Sequence, residues 1–431
     1  MFVVLHIVNL ILFLMYIQYE YKHKRYLSLT MIMLAAFSIL YTLPLILESL
    51  FSFQFRSFYV NESNEIIYNL AVIISFYSLL VGIFLGKAFQ KKEKIGEEKS
   101  NYFRTSKISL ILSFFLLAIS FFAAYSSLMN SGGLLSIIFS EYAGGDYLQA
   151  RVLGKGSGVL GLLIWLIPVN LLFIFLSLRA YIRYKFFRTL IVSTLIFLAI
   201  ASYILLTARH NLITLFLLFY YYIYFTCKKT AKRVFFVAPI IGLLVISLLQ
   251  GVRVSGAEDI EISKSMTIFL ESLEHKDVTH KIIAQVEEEN YTYFAHVQDV
   301  FIFFIPRAFW AEKPRTSYLN NLFFPDLAKG GSEKAFGIVA EGYAALGLLG
   351  VLLLSFFVGM FFSLIQNYIY NSKNKTKALM YLAIFIPLSY ISVRTGVFGK
   401  HLIGSILIFI NIKLLFLLSK KGKNISYENC N

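Results

Sequence analysis

Charge is scarce in this chain: only 15% of its 431 residues are Asp, Glu, Lys or Arg, against roughly 25% in an ordinary soluble domain. That is too little to cover a globule of this size with a wettable surface, and a water-soluble fold is excluded. Cysteine is nearly missing as well. The two present, Cys227 beside Lys228 and Lys229 and Cys430 near the C-terminus, support neither a disulfide framework nor a cysteine-based metal site. No GxxxxGK[ST] segment occurs, so a P-loop nucleotide site is excluded.

What is abundant is apolar. Hydrophobic residues make up 58% of the chain, with 43 Phe and 28 Tyr among them. They gather in near-continuous runs of roughly twenty residues, the length that crosses ~30 Å of hydrocarbon. The expected fold is all-α: a polytopic integral membrane protein of about eleven transmembrane helices with one large extracytoplasmic loop. The expected spans are 1–19, 27–49, 67–88, 108–128, 157–178, 189–207, 211–227, 234–250, 338–368, 378–393 and 402–418. Eight of them fall in residues 1–250 and three in 337–431, which closes on a short cytoplasmic tail; residues 251–336 form the loop. The first run has no basic segment before it and no small-residue cleavage site behind it, so it is expected to be retained as a span.

The formal net charge of +16 would suggest a nucleic-acid partner in a soluble chain. Here the bilayer explains it, and no nucleic acid is expected. Threading the spans with the N-terminus outside places 24 of the 40 Lys and Arg in short inside segments and six in short outside loops. Cationic loops translocate poorly, so the N-terminus is expected outside and the C-terminus in the cytoplasm. No inside segment exceeds about twenty residues, too short for a folded catalytic domain. Any chemistry belongs to the outer face, with substrates delivered there.

That face carries the loop, 86 residues with 13 acidic and 9 basic side chains. Ile268, Phe269 and Leu273, then Ile282, Ile283 and Val286, recur at helical spacing among charged residues, as expected of amphipathic helices lying on the membrane. Val300 to Phe304 dips back towards lipid until Pro306 interrupts it, the pattern of a short re-entrant segment.

Cations on the outer face run against the topological bias, and each needs its own reason. They include Arg151, Arg209, Arg253, Arg307, Arg315 and Arg394. A guanidinium offers a planar fork of donors matched to phosphate, so arginines lining one outer cavity would suit a pyrophosphate; each also reads as an interfacial anchor. The densest group is FIPRAFWAEKPRTSYLN at 304–320, where Arg307, Lys313 and Arg315 alternate with Pro306, Trp310 and Pro314. Trp310 suits either the interface belt or a sugar ring.

Glu341 enters an apolar run about one turn in, where a carboxylate must be paired or wet. It is the first candidate for general base, or else the counter-ion of an arginine, and His401 is the second candidate. His275, His280 and His296 are too scattered for a zinc site, and neither metal nor cofactor is expected. Gly342, Gly347 and Gly350 read as close helix packing.

Four places together resemble the integral-membrane O-antigen and capsular polysaccharide repeat-unit polymerases, the Wzy-type family, and their relatives the O-antigen ligases. They are Arg209 after LLT at the outer end of a span, the large late loop, IPRAFWAEKP at 305–314, and GIVAEGYAALGLLG at 337–350. The arginine-to-glycine spacing of some members is not met, since the eleventh residue after Arg151, Arg307 and Arg315 is Leu162, Tyr318 and Asp326. The resemblance implies glycosyl transfer outside the cytoplasm of a bacterial cell, from one undecaprenyl-pyrophosphate-linked oligosaccharide to another, at the cytoplasmic membrane. With that chemistry, Arg209, Arg253, Arg307 and Arg315 are expected to serve the two pyrophosphate groups, helped by Lys313 and Arg151, and a chain-length regulator protein joins the possible partners. A flippase for the same lipid-linked glycans and an O-antigen ligase are the alternatives.

Overall fold

The computed structural model describes residues 2–23, 25, 27–51, 62–89, 102–130, 162–205, 209–227, 229–235, 275–288, 291–305, 309–310, 312–314, 316–329, 334–372, 374–397, 400–419 and 423–426. Among these, eight helices are long and apolar enough to cross a membrane: Phe2–Lys22, Leu29–Ser49, Ser63–Ala88, Lys107–Ser127, Lys185–Tyr203, Gly337–Asn371, Thr376–Thr395 and His401–Ser419. Two shorter apolar helices, Ile164–Leu178 and Asn211–Thr226, fall on the fifth and seventh expected spans. The remaining expected span, 234–250, lies outside the described residues from 236 onwards. The chain is a polytopic helical membrane protein.

Its contacts divide it into two units, Met1–Lys92, Leu270–Tyr368 and Leu388–Ile403 forming one, and Glu93–Phe269, Ile369–Pro387 and Gly404–Asn431 the other. The first unit begins with α1 (Phe2–Lys22), α2 (Leu29–Phe37), a π-helical turn (Ser38–Thr42), α3 (Leu43–Phe51) and α4 (Glu62–Ala88). Helix α1 buries one stripe, His6, Asn9, Phe13, Tyr16 and Glu20, spaced three and four apart as one helical face requires. Three members of that stripe are paired across the bundle. His6 Nε2 meets Asn69 Oδ1 at 2.8 Å, Tyr16 Oη meets Thr30 Oγ1 at 2.6 Å, and Glu20 takes an ion pair from Lys87 and a hydrogen bond from Gln366 Nε2.

These contacts gather Glu20, Thr30, Lys87 and Gln366 at one end of the unit. Helix α4 runs against the long helix α13 (Gly337–Asn371) at backbone distance. A Cβ added to Gly86 would lie 2.7 Å from Ser363 Cβ, while Ser75 and Ser355 share a 2.7 Å hydrogen bond and Ser363 Oγ donates to the Ile83 carbonyl. Small residues with hydroxyl crosslinks are how helices associate where no hydrophobic drive separates protein from lipid.

At the opposite end lies α9 (Lys276–Glu288), from the large loop. Its apolar positions Ile282, Ile283 and Val286 are buried because the helix packs on α4. The expected helix on the membrane surface is therefore corrected: this amphipathic face meets protein. Lys276 secures it, with Nζ 2.8 Å from Glu48 Oε2 and 3.0 Å from Glu65 Oε2, and His280 stands edge-on to Tyr68 at 4.9 Å. The loop continues through a 3₁₀ turn (Ala295–Val297), α10 (Gln298–Phe304), α11 (Tyr318–Phe323) and α12 (Pro325–Lys329). Helix α10 is seven residues long and stops short of Pro306, which lies outside the described residues.

The second unit packs α5 (Lys107–Asn130), α6 (Ile167–Tyr181), α7 (Lys185–Leu205) and α8 (Arg209–Thr226) around Leu117, Ile167, Leu171, Ile174 and Tyr203. Asn170 is its polar clamp: its Oδ1 accepts from Ser113 Oγ at 3.0 Å and from Asn411 Nδ2, on α15 (Lys400–Ser419), at 3.2 Å. Strand β1 (Tyr102–Thr105) pairs antiparallel with β2 (Lys423–Ser426), Thr105 opposite Lys423. Apart from this short pairing the described residues are helical, as the expected all-α class requires.

Candidate active site

The expected span 338–368 is not one helix. At Leu346 (φ −152°, ψ 28°) and Gly347 (φ 62°, ψ −144°) the helical path of α13 is broken, leaving a short arm over 337–345 and a long arm from 348. In a straight helix residues nine apart are about 13 Å apart; here a Cβ on Gly342 would sit 2.8 Å from Val351 Cα, so the short arm folds back on the long one. Glycine is needed at 347 for the left-handed backbone. Its added Cβ would also lie 2.8 Å from the Tyr291 hydroxyl. The glycines read from sequence as helix packing thus make a turn.

A broken helix strands carbonyls, and buried carbonyls need donors. The loop supplies them. The Thr292 N–H and hydroxyl both donate to the Ala344 carbonyl at 2.9 Å, and the Tyr293 N–H donates to that of Ala345 at 3.1 Å. Tyr293 and Phe294 adopt positive φ, 45° and 62°, a costly conformation for aromatic residues. The segment is held there by the hydrogen bonds it gives.

Glu341 lies on the short arm, 3% exposed. Its Oε1 is 3.3 Å from Nε2 of His296, which is buried on the 3₁₀ turn. Its Oε2 accepts the Val397 N–H, just beyond the end of α14 (Lys375–Thr395). Gly396 makes this possible, at φ 97° and with an added Cβ falling 2.7 Å from Glu341 Oε2. The carboxylate thus meets a histidine on one oxygen and a backbone amide on the other. Removing either partner would leave a buried polar group unsatisfied, at a cost of about 1–3 kcal/mol.

Next to it, the Tyr41 hydroxyl from the π-helical turn donates to the Val393 carbonyl at 3.3 Å and leaves no room for a side chain on Gly337, whose φ is 73°. The Tyr41 ring stacks on His275 at 5.4 Å. His275 Nδ1 donates to the Ala335 carbonyl at 3.3 Å. Burial, and then the charge of Arg394, lower the His275 pKa to about 3, so its ring is neutral. His280 is also neutral, pushed down to about 4 by burial.

Of the other expected site residues, Trp310, Lys313, Arg209 and His401 are among the described residues. Trp310 is 36% exposed, on a turn that the Lys313 N–H closes by donating to the Trp310 carbonyl. Lys313 Nζ donates to the Ile305 carbonyl at 2.8 Å, so one of its three donors serves the loop itself. Arg209 opens α8 and His401 is half-buried at the start of α15. Arg151, Arg253, Arg307 and Arg315 lie outside the described residues.

No family model matches the chain, and no curated protein or solved structure does either. The site therefore has to be read from its own chemistry. Among the described residues no group of His, Cys, Asp and Glu is arranged to hold a metal ion. What the cluster offers is a buried carboxylate fixed at both oxygens, with an imidazole beside it, the usual makings of a proton-transfer group.

Two of its members escaped sequence reasoning. His296 was weighed only as a zinc ligand, although the cost of an unpaired Glu341 already called for a donor from the loop. Gly396 follows a helix end ahead of an apolar residue, the position of a left-handed cap, and that signal was legible.

Proposed function

We propose that this protein is a membrane glycosyltransferase of the repeat-unit polymerase kind. It moves a lipid-pyrophosphate-linked glycan chain onto an incoming undecaprenyl-pyrophosphate-linked unit, at the outer face of the bacterial cytoplasmic membrane. The observation that carries the reading is the Glu341 and His296 pair, buried at the loop-bearing end of a membrane bundle. The pair ties the loop to the short arm of α13, in addition to the contacts of Lys276 with Glu48 and Glu65.

In this reading the acceptor sugar hydroxyl attacks the anomeric carbon of the donor glycan and its proton passes to Glu341. The bond from that carbon to the pyrophosphate oxygen breaks, and the lipid pyrophosphate leaves with the electron pair. Arg209, Arg253, Arg307 and Arg315, aided by Arg151 and Lys313, are the cations proposed to take up the charge that builds on the leaving group. His296 holds the Glu341 carboxylate in orientation and shares the proton it receives.

A flippase is the competing reading, and the broken helix is the feature that would favour it, because transporters use freed carbonyls at such breaks to bind ions. Here Thr292 and Tyr293 occupy the carbonyls of Ala344 and Ala345, which leaves the break less suited to that task. A ligase shares the chemistry and differs in its acceptor. The test is to incubate purified protein in nanodiscs with a lipid-pyrophosphate-linked repeat unit. A ladder of lengthened glycans supports the polymerase; vesicle transport of an unchanged lipid, without a ladder, would replace it with the flippase.

A further inference from the structure

Tyr293 breaks a local rule. It and Phe294 both take left-handed backbone angles, which glycine or asparagine adopts at lower cost. Phe294 has a reason inside the protein, its ring 5.8 Å from that of the buried His296. The Tyr293 side chain is instead 68% exposed, and beside it Tyr291 is 40% exposed, the two rings edge-on at 6.5 Å. A strained backbone that displays an aromatic ring outward calls for something outside the protein to receive the ring.

The height of the pair along the bundle says what that is. The Thr292 and Tyr293 amides are tied to the Ala344 and Ala345 carbonyls, and the Tyr291 hydroxyl lies against Gly347, where the long arm of α13 begins. From there the arm exposes Leu349, Leu352, Phe357, Phe361 and Leu364, an apolar stripe that faces lipid in a spanning helix. The stripe ends on Tyr368, which is 55% exposed. Gly347 and Tyr368 are 21 residues apart, about 32 Å along a helix, and the hydrocarbon layer is ~30 Å thick. Exposed tyrosines therefore stand at both ends of a stretch of membrane thickness. This is the arrangement of an aromatic belt, with the ring towards the acyl chains and the hydroxyl among headgroups.

We infer that Tyr291 and Tyr293 dock the large loop in the headgroup boundary of the bilayer, with phospholipid as the partner. A second copy or another protein on this surface would not account for the match between the Gly347 to Tyr368 length and the hydrocarbon thickness. The docking fixes the level of Glu341. The short arm runs back beside the long one with Gly342 against Val351, four residues past Gly347 and about 6 Å along the arm. Glu341 thus stands just beneath the boundary, enclosed by protein. That level suits the reacting end of a lipid-linked substrate, a consequence that rests on the glycosyltransferase reading; the docking does not.

The experiment is a nitroxide depth measurement on the full-length protein in phospholipid nanodiscs, with Cys227 and Cys430 replaced by serine. Single labels are placed at Tyr293→Cys, at Tyr368→Cys, at Phe357→Cys in the middle of the stripe, and at Lys329→Cys, a water control beside the 96% exposed Asp326. Collisions with oxygen, which dissolves in hydrocarbon, are compared with those of a water-soluble nickel chelate. The oxygen-to-nickel ratio is expected to be highest at position 357 and lowest at 329. At 293 and 368 it should be intermediate and alike, about threefold or more above that at 329. A ratio at 293 equal to that at 329 puts the pair in water and overturns the docking. Few collisions with either reagent mean protein cover, by a second copy or another chain, and overturn it too. A ratio equal to that at 357 overturns the boundary level. Gel filtration shows whether Tyr293→Cys folds, and where it does not, a label at Tyr291→Cys carries the same decision. A water-exposed label in a protein that still makes the glycan ladder removes the docking alone; a docked label without a ladder removes the polymerase alone.

Discussion

At Glu341 the two contacts test different things. Glu341→Gln keeps a carbonyl oxygen for the Val397 N–H but cannot take a proton, so turnover should fall by about 10²–10⁴-fold while the melting temperature in detergent stays within a few degrees. Glu341→Ala leaves His296 and the Val397 amide buried without their partner, and thermal unfolding should show a loss of about 1–3 kcal/mol as well. Gly396→Ala forces a Cβ into a left-handed backbone against the Glu341 carboxylate. Its loss of stability, on the order of 1 kcal/mol or more, should come with lost activity. The histidines predict acid sensitivity with a definite sign. His275 and His280 are neutral in the fold, with pKa values near 3 and 4, whereas unfolded histidine titrates near 6.5. Between those limits the unfolded chain binds more protons, so stability falls as pH drops from about 6.5 towards 4, by up to about 1.4 kcal/mol per pH unit for each ring. Melting temperatures measured across that range should decline, and less steeply in His280→Phe.

The elements depend on one another through the break in α13. Gly347→Ala should straighten or destabilise the turn, displacing the short arm and with it Glu341; protease sensitivity near 291–293 is the readout, because Thr292 and Tyr293 lose their carbonyl acceptors. On α9, burial works against the charge of Lys276, and the Glu48 and Glu65 carboxylates outweigh it, holding its pKa above the usual lysine value. That contribution is present at all pH values below about 10.5, so Lys276→Met should loosen α9 at neutral pH and raise its amide exchange. How much of this was legible in sequence differs by element. The spans were readable because apolar runs of membrane length have few other meanings. Lys276 and its two carboxylates were not, since α9 carries the same amphipathic pattern whether it meets lipid or protein. The break at 346–347 was hidden inside a run whose composition is uniformly apolar, and Gly347 differs from Gly342 and Gly350 only in backbone angle. Glu341 was legible as an anomaly, its partner His296 only as a consequence of folding the loop onto the short arm.

For the whole molecule, sidedness and chemistry are linked, because a polymerase of this kind needs the Glu341 end of the first unit to face away from the cytosol. With only two native cysteines, both replaceable by serine, single cysteines are clean reporters. Lys313→Cys should react with a membrane-impermeant maleimide on intact cells, and Lys377→Cys only after permeabilisation. The reverse pattern would place the site in the cytosol. The most direct test of the central claim compares wild type and Glu341→Gln in nanodiscs, each given one lipid-pyrophosphate-linked repeat unit, with products resolved by length. The account predicts a ladder from the wild type and unreacted single units from an equally folded Glu341→Gln protein. Equal ladders from both would contradict it.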